Sequence, residues 1–140
     1  MSSVAPPIST SSTAISIQPP AVTVDRGAST TLAVQAVAPV EGLGSWTIDV
    51  TYDAAVVTPT ACTTAANTNS LCNRTFAANT IRIAGTATNG LVGTTALANI
   101  TFQGVAVGTL RPVTVTVRDV TDPTGAPLLA VTSNGTITVK

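Results

Sequence analysis

The side chains that enzymes most often use for acid–base or nucleophilic chemistry are scarce in this chain. Histidine does not occur, lysine occurs only as Lys140, and six acidic residues stand against six basic ones. General acid–base catalysis needs titratable groups with separated pKa values, and a nucleophile needs a base beside it. Asp49 and Asp53 fall on one side of a predicted strand, about 13 Å apart, too far for a glycosidase pair. This side is expected to be a solvated polar surface, with Asp53 capping the turn after Tyr52. We therefore predict that the protein is not an enzyme.

Metal-binding residues are equally few. Asp119 and Asp122, with Gly125 after them, could supply oxygen ligands to calcium, but calcium takes six or more ligands and this loop offers two carboxylates. The favoured interpretation is a turn in which an aspartate caps its own backbone. We expect no cofactor, with calcium at Asp119 and Asp122 as the alternative.

The two cysteines, Cys62 and Cys72, lie close together in a polar segment. Without histidine, a zinc site would need two thiolates and carboxylates, which fits known structural sites poorly. A disulfide is favoured over two free buried thiols; it would contribute on the order of 3 kcal/mol and would imply an oxidising, extracellular compartment.

The composition excludes several partners. Only 9% of the residues are charged and the net charge is zero, so the chain is unsuited to neutralising the phosphates of nucleic acid. No apolar run approaches the roughly 20 residues of a membrane span, so no membrane insertion is expected.

Residues 1–13 are small, hydroxylated or proline and are predicted to be a flexible linker or arm, with the folded module at residues 14–140.

Alternation of apolar and polar residues predicts the elements that position these side chains. From Trp46 to Asp53 every second residue is apolar, so one side of this strand faces a core. Residues 113–120 alternate in the same way, Asn134-Gly135 is typical of a tight hairpin turn, and no window of ten residues has a helical period. About nine strands predict an all-β sandwich with jelly-roll topology or immunoglobulin-like layers.

Aromatic side chains make up 3% of the chain, and most of them are expected in the core. Trp46 and Tyr52 fall on the apolar side of their strand, and Phe102 ends another apolar strand. Phe76 is the one ring predicted to be free. A carbohydrate-binding module, which would present exposed rings to a polysaccharide, would need Trp46 at the surface and is an alternative function.

Three stretches together resemble cohesin modules. Residues 42–57 (GLGSWTIDVTYDAAVV) are similar to the cohesin strand that ends in Tyr-Asp-Pro and a short apolar pair, 97–102 (LANITF) to a second strand, and 134–139 (NGTITV) to the closing strand. The resemblance covers roughly residues 14–140. It implies a nine-stranded jelly-roll sandwich, on a secreted scaffold or enzyme, that acts as a receptor for a small calcium-loaded dockerin, with the calcium on that partner.

The resemblance also implies where the partner would bind. Contacts would come from outward side chains of the Trp46–Asp53 strand and its neighbour, on the side opposite Trp46, Ile48, Ile81 and Ile83. These partner-binding candidates are Ser45, Thr47, Asp49, Arg82, Ala84 and Thr86. The chain departs from the family at Ala54, where proline is usual, and near Ser45 and Thr47, where cellulosomal cohesins place a polar pair that often includes Asp. The charge-assisted hydrogen bond made by that carboxylate would be missing.

A second function remains open from the residues alone. The chain has low charge and abundant threonine and valine, and its segment from Val4 to Val24 is punctuated by proline. Such an arm could add a strand to the open edge of the next copy and build a cell-surface fibre. Light scattering of the full chain against one lacking residues 1–20 would distinguish this self-assembly from a receptor function.

Overall fold

Two long antiparallel strands run through the molecule and carry the rest of the sheet. The computed structural model describes residues 11–140, and within them every regular element is a strand. The predicted all-β class is therefore confirmed. The strands are β1 (Ser12–Gln18), β2 (Ala21–Val24), β3 (Ser29–Thr51), β4 (Val57–Thr64), β5 (Asn69–Ala77), β6 (Thr80–Gly104), β7 (Gly108–Thr121), β8 (Leu129–Ser133) and β9 (Gly135–Val139).

Strands β3 and β6 each contribute to two layers, because both bend midway. Their pairing shifts register between Ala38 and Leu43, where Gly42 and Gly90 have φ values of 91° and 77° that suit glycine. A Cβ on Gly42 would lie 3.2 Å from the Cα of Gly90, so the two backbones touch at this corner. The sheet curls over itself there, as the predicted jelly-roll sandwich requires.

The two layers have different strand sets. In the first layer, the second half of β3 pairs with the first half of β6; β5 flanks β6, and β7 flanks β3 and leads on to β9 and β2. In the second layer, the first half of β3 pairs with the second half of β6, between β1 with β8 on one side and β4 on the other. Both layers are thus built on the same two strands, β3 and β6. The hairpin predicted at Asn134-Gly135 is wrong, because β8 pairs with β1 in the second layer and β9 pairs with β2 and β7 in the first, so the chain crosses between the layers there.

The core lies between the layers and consists mainly of alternate strand residues, as predicted, with the adjacent pairs Val56-Val57 and Leu97-Ala98 as exceptions. Trp46 is 1% exposed and Phe102 is fully buried, whereas Tyr52 is half-buried with its ring edge-on to Phe102 at 5.6 Å. The remaining large, fully buried side chains are Ile15, Ile17, Leu32, Leu43, Ile48, Ile81, Ile83, Leu97, Ile100 and Ile137. Burial of this continuous apolar cluster is the main stabilising term of the fold.

The amino-terminal boundary falls slightly earlier than the predicted module start at residue 14. Strand β1 begins at Ser12, and Thr13 is fully buried, with its hydroxyl donating to the carbonyl of Val37 at 3.1 Å. The last two residues of the predicted linker therefore belong to the sheet. The first ten residues of that linker lie outside the described residues.

The predicted disulfide between Cys62 and Cys72 is present. Cys62 lies on β4 in the second layer and Cys72 on β5 in the first, and each strand pairs with a different half of β6. The bond therefore joins the two layers at one side of the sandwich.

Candidate functional site

The outer surface of β5, β6, β3 and β7 carries the predicted partner-binding residues; we call it the outer face. The six candidates form three cross-strand pairs, Ser45 with Thr86, Thr47 with Ala84 and Asp49 with Arg82. Trp46, Ile48, Ile81 and Ile83 point the other way, into the core. The predicted outward side of the two strands is thus confirmed, and a one-residue slip would have inverted it. The role of the six residues in binding stays a prediction.

A shallow depression of about 360 Å³ lies at the middle of the outer face. Its walls are mostly small or hydroxylated side chains, among them Ser45, Thr47 and Ala84. Leu71 on β5 forms one rim and is 78% exposed, and Asp119 on β7 forms another. Small side chains at the centre let a partner's backbone approach the sheet closely, while the rims can contact its flanks.

The floor of the depression depends on a glycine. Gly85 stands where a Cβ would lie 2.5 Å from both the Trp46 ring and the Ser70 hydroxyl, far inside van der Waals contact. The indole therefore passes directly beneath β6. Its Nε1 has no hydrogen-bond partner within residues 11–140.

Asp49 is buried, which corrects the interpretation of its side of β3 as a solvated polar surface. Arg82 donates from Nε and Nη2 to Oδ1 and Oδ2 at 2.7 and 2.8 Å, and Arg118 donates from Nε to Oδ2 at 2.9 Å. The two arginines leave Asp49 2% exposed. Arg82 also covers the half-exposed ring of Phe76 at 3.8 Å, so that ring is not free. Asp53, by contrast, caps the turn after β3 as predicted.

A β-bulge in β7 turns two successive charges onto the outer face. Ile48 pairs with Val117 and Thr47 pairs with Asp119, so Arg118 is the extra residue. Bulges of this kind redirect side chains, and here Arg118 reaches Asp49 while Asp119 reaches the depression. The partner-binding prediction included neither charge, although a sequence signal of the bulge exists: Val117 and Val120, which both pack against the core, are three residues apart instead of two.

The two calcium candidates lie in different surroundings. The Asp122 Oδ1 accepts from the backbone of Thr124 and Ala126 and from the Thr124 hydroxyl, as the predicted turn requires. The hydroxyl of Thr124 is the main cause that lowers the pKa of Asp122. Asp119 stands instead on the outer face, and residues 11–140 contain no group of three or more acidic or cysteine side chains arranged around a metal position. Calcium binding stays an untested alternative.

The Asp49 cluster should make stability depend on pH. Hydrogen bonding to Arg82, and then to Arg118, outweighs burial and lowers the pKa of Asp49 below its usual value. The ionised Asp49 therefore stabilises the fold fully at pH values above its pKa in the unfolded chain, about 4. This stabilisation is lost as the pH falls through the lower pKa that Asp49 has in the folded protein. We expect Asp49→Asn to cost about 2 kcal/mol at pH 7 and progressively less below pH 4. Urea unfolding of both chains between pH 7 and 2.5 measures this difference.

The control for that measurement is Asp25→Asn, which removes an exposed aspartate in the turn between β2 and β3. Its effect at pH 7 should be small. A cost for Asp49→Asn that stays constant down to pH 2.5 would contradict an ionised, arginine-bound carboxylate.

Comparison with known proteins identifies the fold. No family model and no curated protein matches the chain, and no helix among residues 11–140 is long and apolar enough to cross a membrane. Solved structures do match. A non-cellulosomal cohesin from Archaeoglobus fulgidus has a TM-score of 0.80 and 18% identity over 91% of each chain. The cohesin CaCohA2 of Clostridium acetobutylicum, in complex with a variant of CaDoc0917, matches with a TM-score of 0.79 and 22% identity, over 91% of this chain and 99% of that one.

A further match is the sixth cohesin of scaffoldin B from Acetivibrio cellulolyticus, solved in complex with a Cel5 dockerin mutant. It has a TM-score of 0.79 and 19% identity, over 91% of this chain and 99% of that one. The chain therefore has the cohesin fold, as its sequence resemblance implied.

Proposed function

We propose that this chain, which has the cohesin fold, is a non-catalytic extracellular module that binds a dockerin-type partner through its outer face. The observation that carries the proposal is the depression of small and hydroxylated side chains that spans the four strands of the outer face, between the rims Leu71 and Asp119. Two of the similar structures are cohesins in complex with dockerins. The disulfide supports an oxidising location.

The chemistry of the outer face suits recognition better than catalysis. Hydroxyls of Ser45 and Thr47 can donate and accept hydrogen bonds, and Ala84 leaves room for an approaching helix. Ser45 already shares a hydrogen bond with the Thr121 hydroxyl, which fixes its orientation. The carboxylate that Ser45 and Thr47 lack, relative to cellulosomal cohesins, is available next to them from Asp119 on β7.

The other two functions lack this support. In the self-assembly hypothesis the arm would pair with another copy, but β1 already pairs with β3 and β8, and β2 with β9. In the carbohydrate hypothesis Trp46 would be exposed, and it is buried. Neither alternative is favoured.

The test of the proposal is calorimetric titration of the chain against each dockerin module encoded in its source genome, with and without calcium. We expect at least one to bind. Thr47→Arg, which places a long charged side chain at the centre of the depression, should weaken that complex about 100-fold, the effect expected of a blocked interface centre.

The matched control is Thr31→Arg, because Thr31 is an exposed threonine on the outer surface of the second layer. It should leave the affinity unchanged. The absence of any dockerin that binds would refute the proposed function, and equal losses for both variants would place the interface elsewhere.

A further inference from the structure

Arg118 presents unused hydrogen-bond donors at the edge of the depression. Its Nε is engaged by Asp49 at 2.9 Å, and its side chain is 57% exposed. Arginine has five N–H donors in a rigid fork. Within the described residues its two terminal nitrogens make no hydrogen bond to protein, so the donors other than Nε face outward from the β7 bulge.

The position of this fork is set before any partner arrives. Asp49 is held by Arg82 through both of its oxygens, and Arg82 in turn covers the ring of Phe76. Arg118 thus binds a carboxylate that cannot move away. Ordering of a long side chain normally costs affinity, and a side chain that is already ordered avoids that cost.

The charges of this cluster do not cancel. One carboxylate, Asp49, is shared by two guanidinium groups, which leaves one positive charge in excess. The excess lies on the exposed side, because Asp49 is buried and Arg118 is more than half exposed. A terminal guanidinium edge that is free, charged and fixed is matched in shape and sign by a carboxylate, which it binds through two parallel hydrogen bonds.

The bulge adds a second charge of opposite sign. Asp119 follows Arg118 directly and borders the depression opposite Thr47. Juxtaposed like charges are unfavourable across an interface. A partner that places a cation near Asp119 and an anion near Arg118 is therefore accepted in one orientation, and the reversed orientation is penalised.

We propose that the outer face recognises a protein partner carrying a carboxylate, which binds the terminal edge of Arg118, beside a basic side chain that faces Asp119. This inference rests on the proposed function and specifies the chemistry of the partner. The sequence prediction omitted Arg118 because its candidates came only from β3 and β6, whereas Arg118 lies on β7, the other neighbour of β3.

The experiment uses the full chain and the dockerin modules of the source genome that bind it in the titration above. Arg118→Gln should weaken binding about 10- to 100-fold, as expected for loss of a charge-assisted pair. Arg118→Lys, which keeps the charge and loses the fork, should recover part of that loss. Arg26→Gln removes an exposed arginine in the turn before β3 and should have no effect. Thermal unfolding of each variant checks that the fold is retained.

A charge exchange then identifies the contact. In the bound dockerin each exposed acidic residue is replaced by lysine, and one such variant should bind Arg118→Glu more tightly than it binds the wild-type chain. Dockerin binding that is insensitive to Arg118→Gln, or equally reduced by Arg26→Gln, would overturn the inference while leaving the proposed function intact. If no dockerin binds the wild-type chain, both are overturned.

Discussion

Valine in place of Gly85 is expected to lower the free energy of unfolding by about 3 kcal/mol. The Cβ alone would lie 2.5 Å from the Trp46 ring and from the Ser70 hydroxyl, and valine adds two methyl groups to it. The indole is 1% exposed and closely packed, so it cannot rotate away without opening the core. Urea unfolding followed by circular dichroism measures the loss.

The adjacent residue is the natural control. Ala84→Val adds the same kind of bulk one position earlier on β6, where the side chain points to the outer face and is only half-buried. Valine favours strands at either position, so propensity cannot explain a difference between the two variants. We expect Ala84→Val to change stability by less than about 0.5 kcal/mol. Similar stabilities for the two variants would show that Trp46 does not fill the space beneath Gly85.

Removal of the disulfide with Cys62→Ser and Cys72→Ser together is expected to cost about 3 kcal/mol. The bond closes a loop over a sequence separation of 10 and connects edge strands of the two layers. Its loss raises the conformational entropy of the unfolded chain and removes the covalent link between β4 and β5 in the folded protein. For a domain of this size the midpoint of thermal unfolding should fall by about 10 °C.

A reducing agent supplies the control for this prediction. Dithiothreitol should lower the midpoint of the wild-type chain to that of the double-serine variant and should leave the variant unchanged. A midpoint that is equal for the two chains under oxidising conditions would contradict a stabilising role for the bond. Neither Cys62 nor Cys72 lines the depression. At temperatures below its unfolding midpoint, the double-serine variant should therefore bind a dockerin as tightly as the wild-type chain does.

The fold was predictable because alternation alone fixes which side of each strand is apolar. Trp46, Ile48 and Val50 identified the inward side of β3, and Ile81 and Ile83 identified the inward side of β6 in the same way. The hydrogen-bond pattern of the two long strands then follows from antiparallel pairing. The bend of β3 and β6 was not apparent, because Gly42 and Gly90 signal ordinary turns until they are known to touch.

The site was less predictable because its special features depend on residues distant in sequence. Asp49 lies 33 residues before Arg82 and 69 before Arg118, and no local pattern shows that three strands bring them together. A buried carboxylate was therefore indistinguishable from a solvated one. Arg118 was missed because the prediction took candidates from β3 and one neighbour, and the sequence does not show that β7 lies on the other side of β3.

Binding specificity is harder still to read from sequence. Threonine, serine and alanine on the outer face are also the residues of any solvated sheet in a threonine-rich chain. What distinguishes this surface is the charge pair of the bulge beside Thr47. The two charges lie on the same side of the sheet only because of the bulge, since a regular strand would have placed Arg118 and Asp119 on opposite sides.

The position of Trp46 also gives the protein a built-in optical reporter. It is the single tryptophan of the chain and its ring lies just beneath Gly85, on the core side of the depression. All tryptophan fluorescence of the protein therefore comes from this one site. Its emission maximum lies at short wavelength while the indole is buried and shifts to longer wavelength once water reaches the indole. Trp46 is among the residues that line the depression, so a ligand seated above β6 would come close to the indole while the core stays closed. Docking and unfolding would therefore change the same spectrum in different ways.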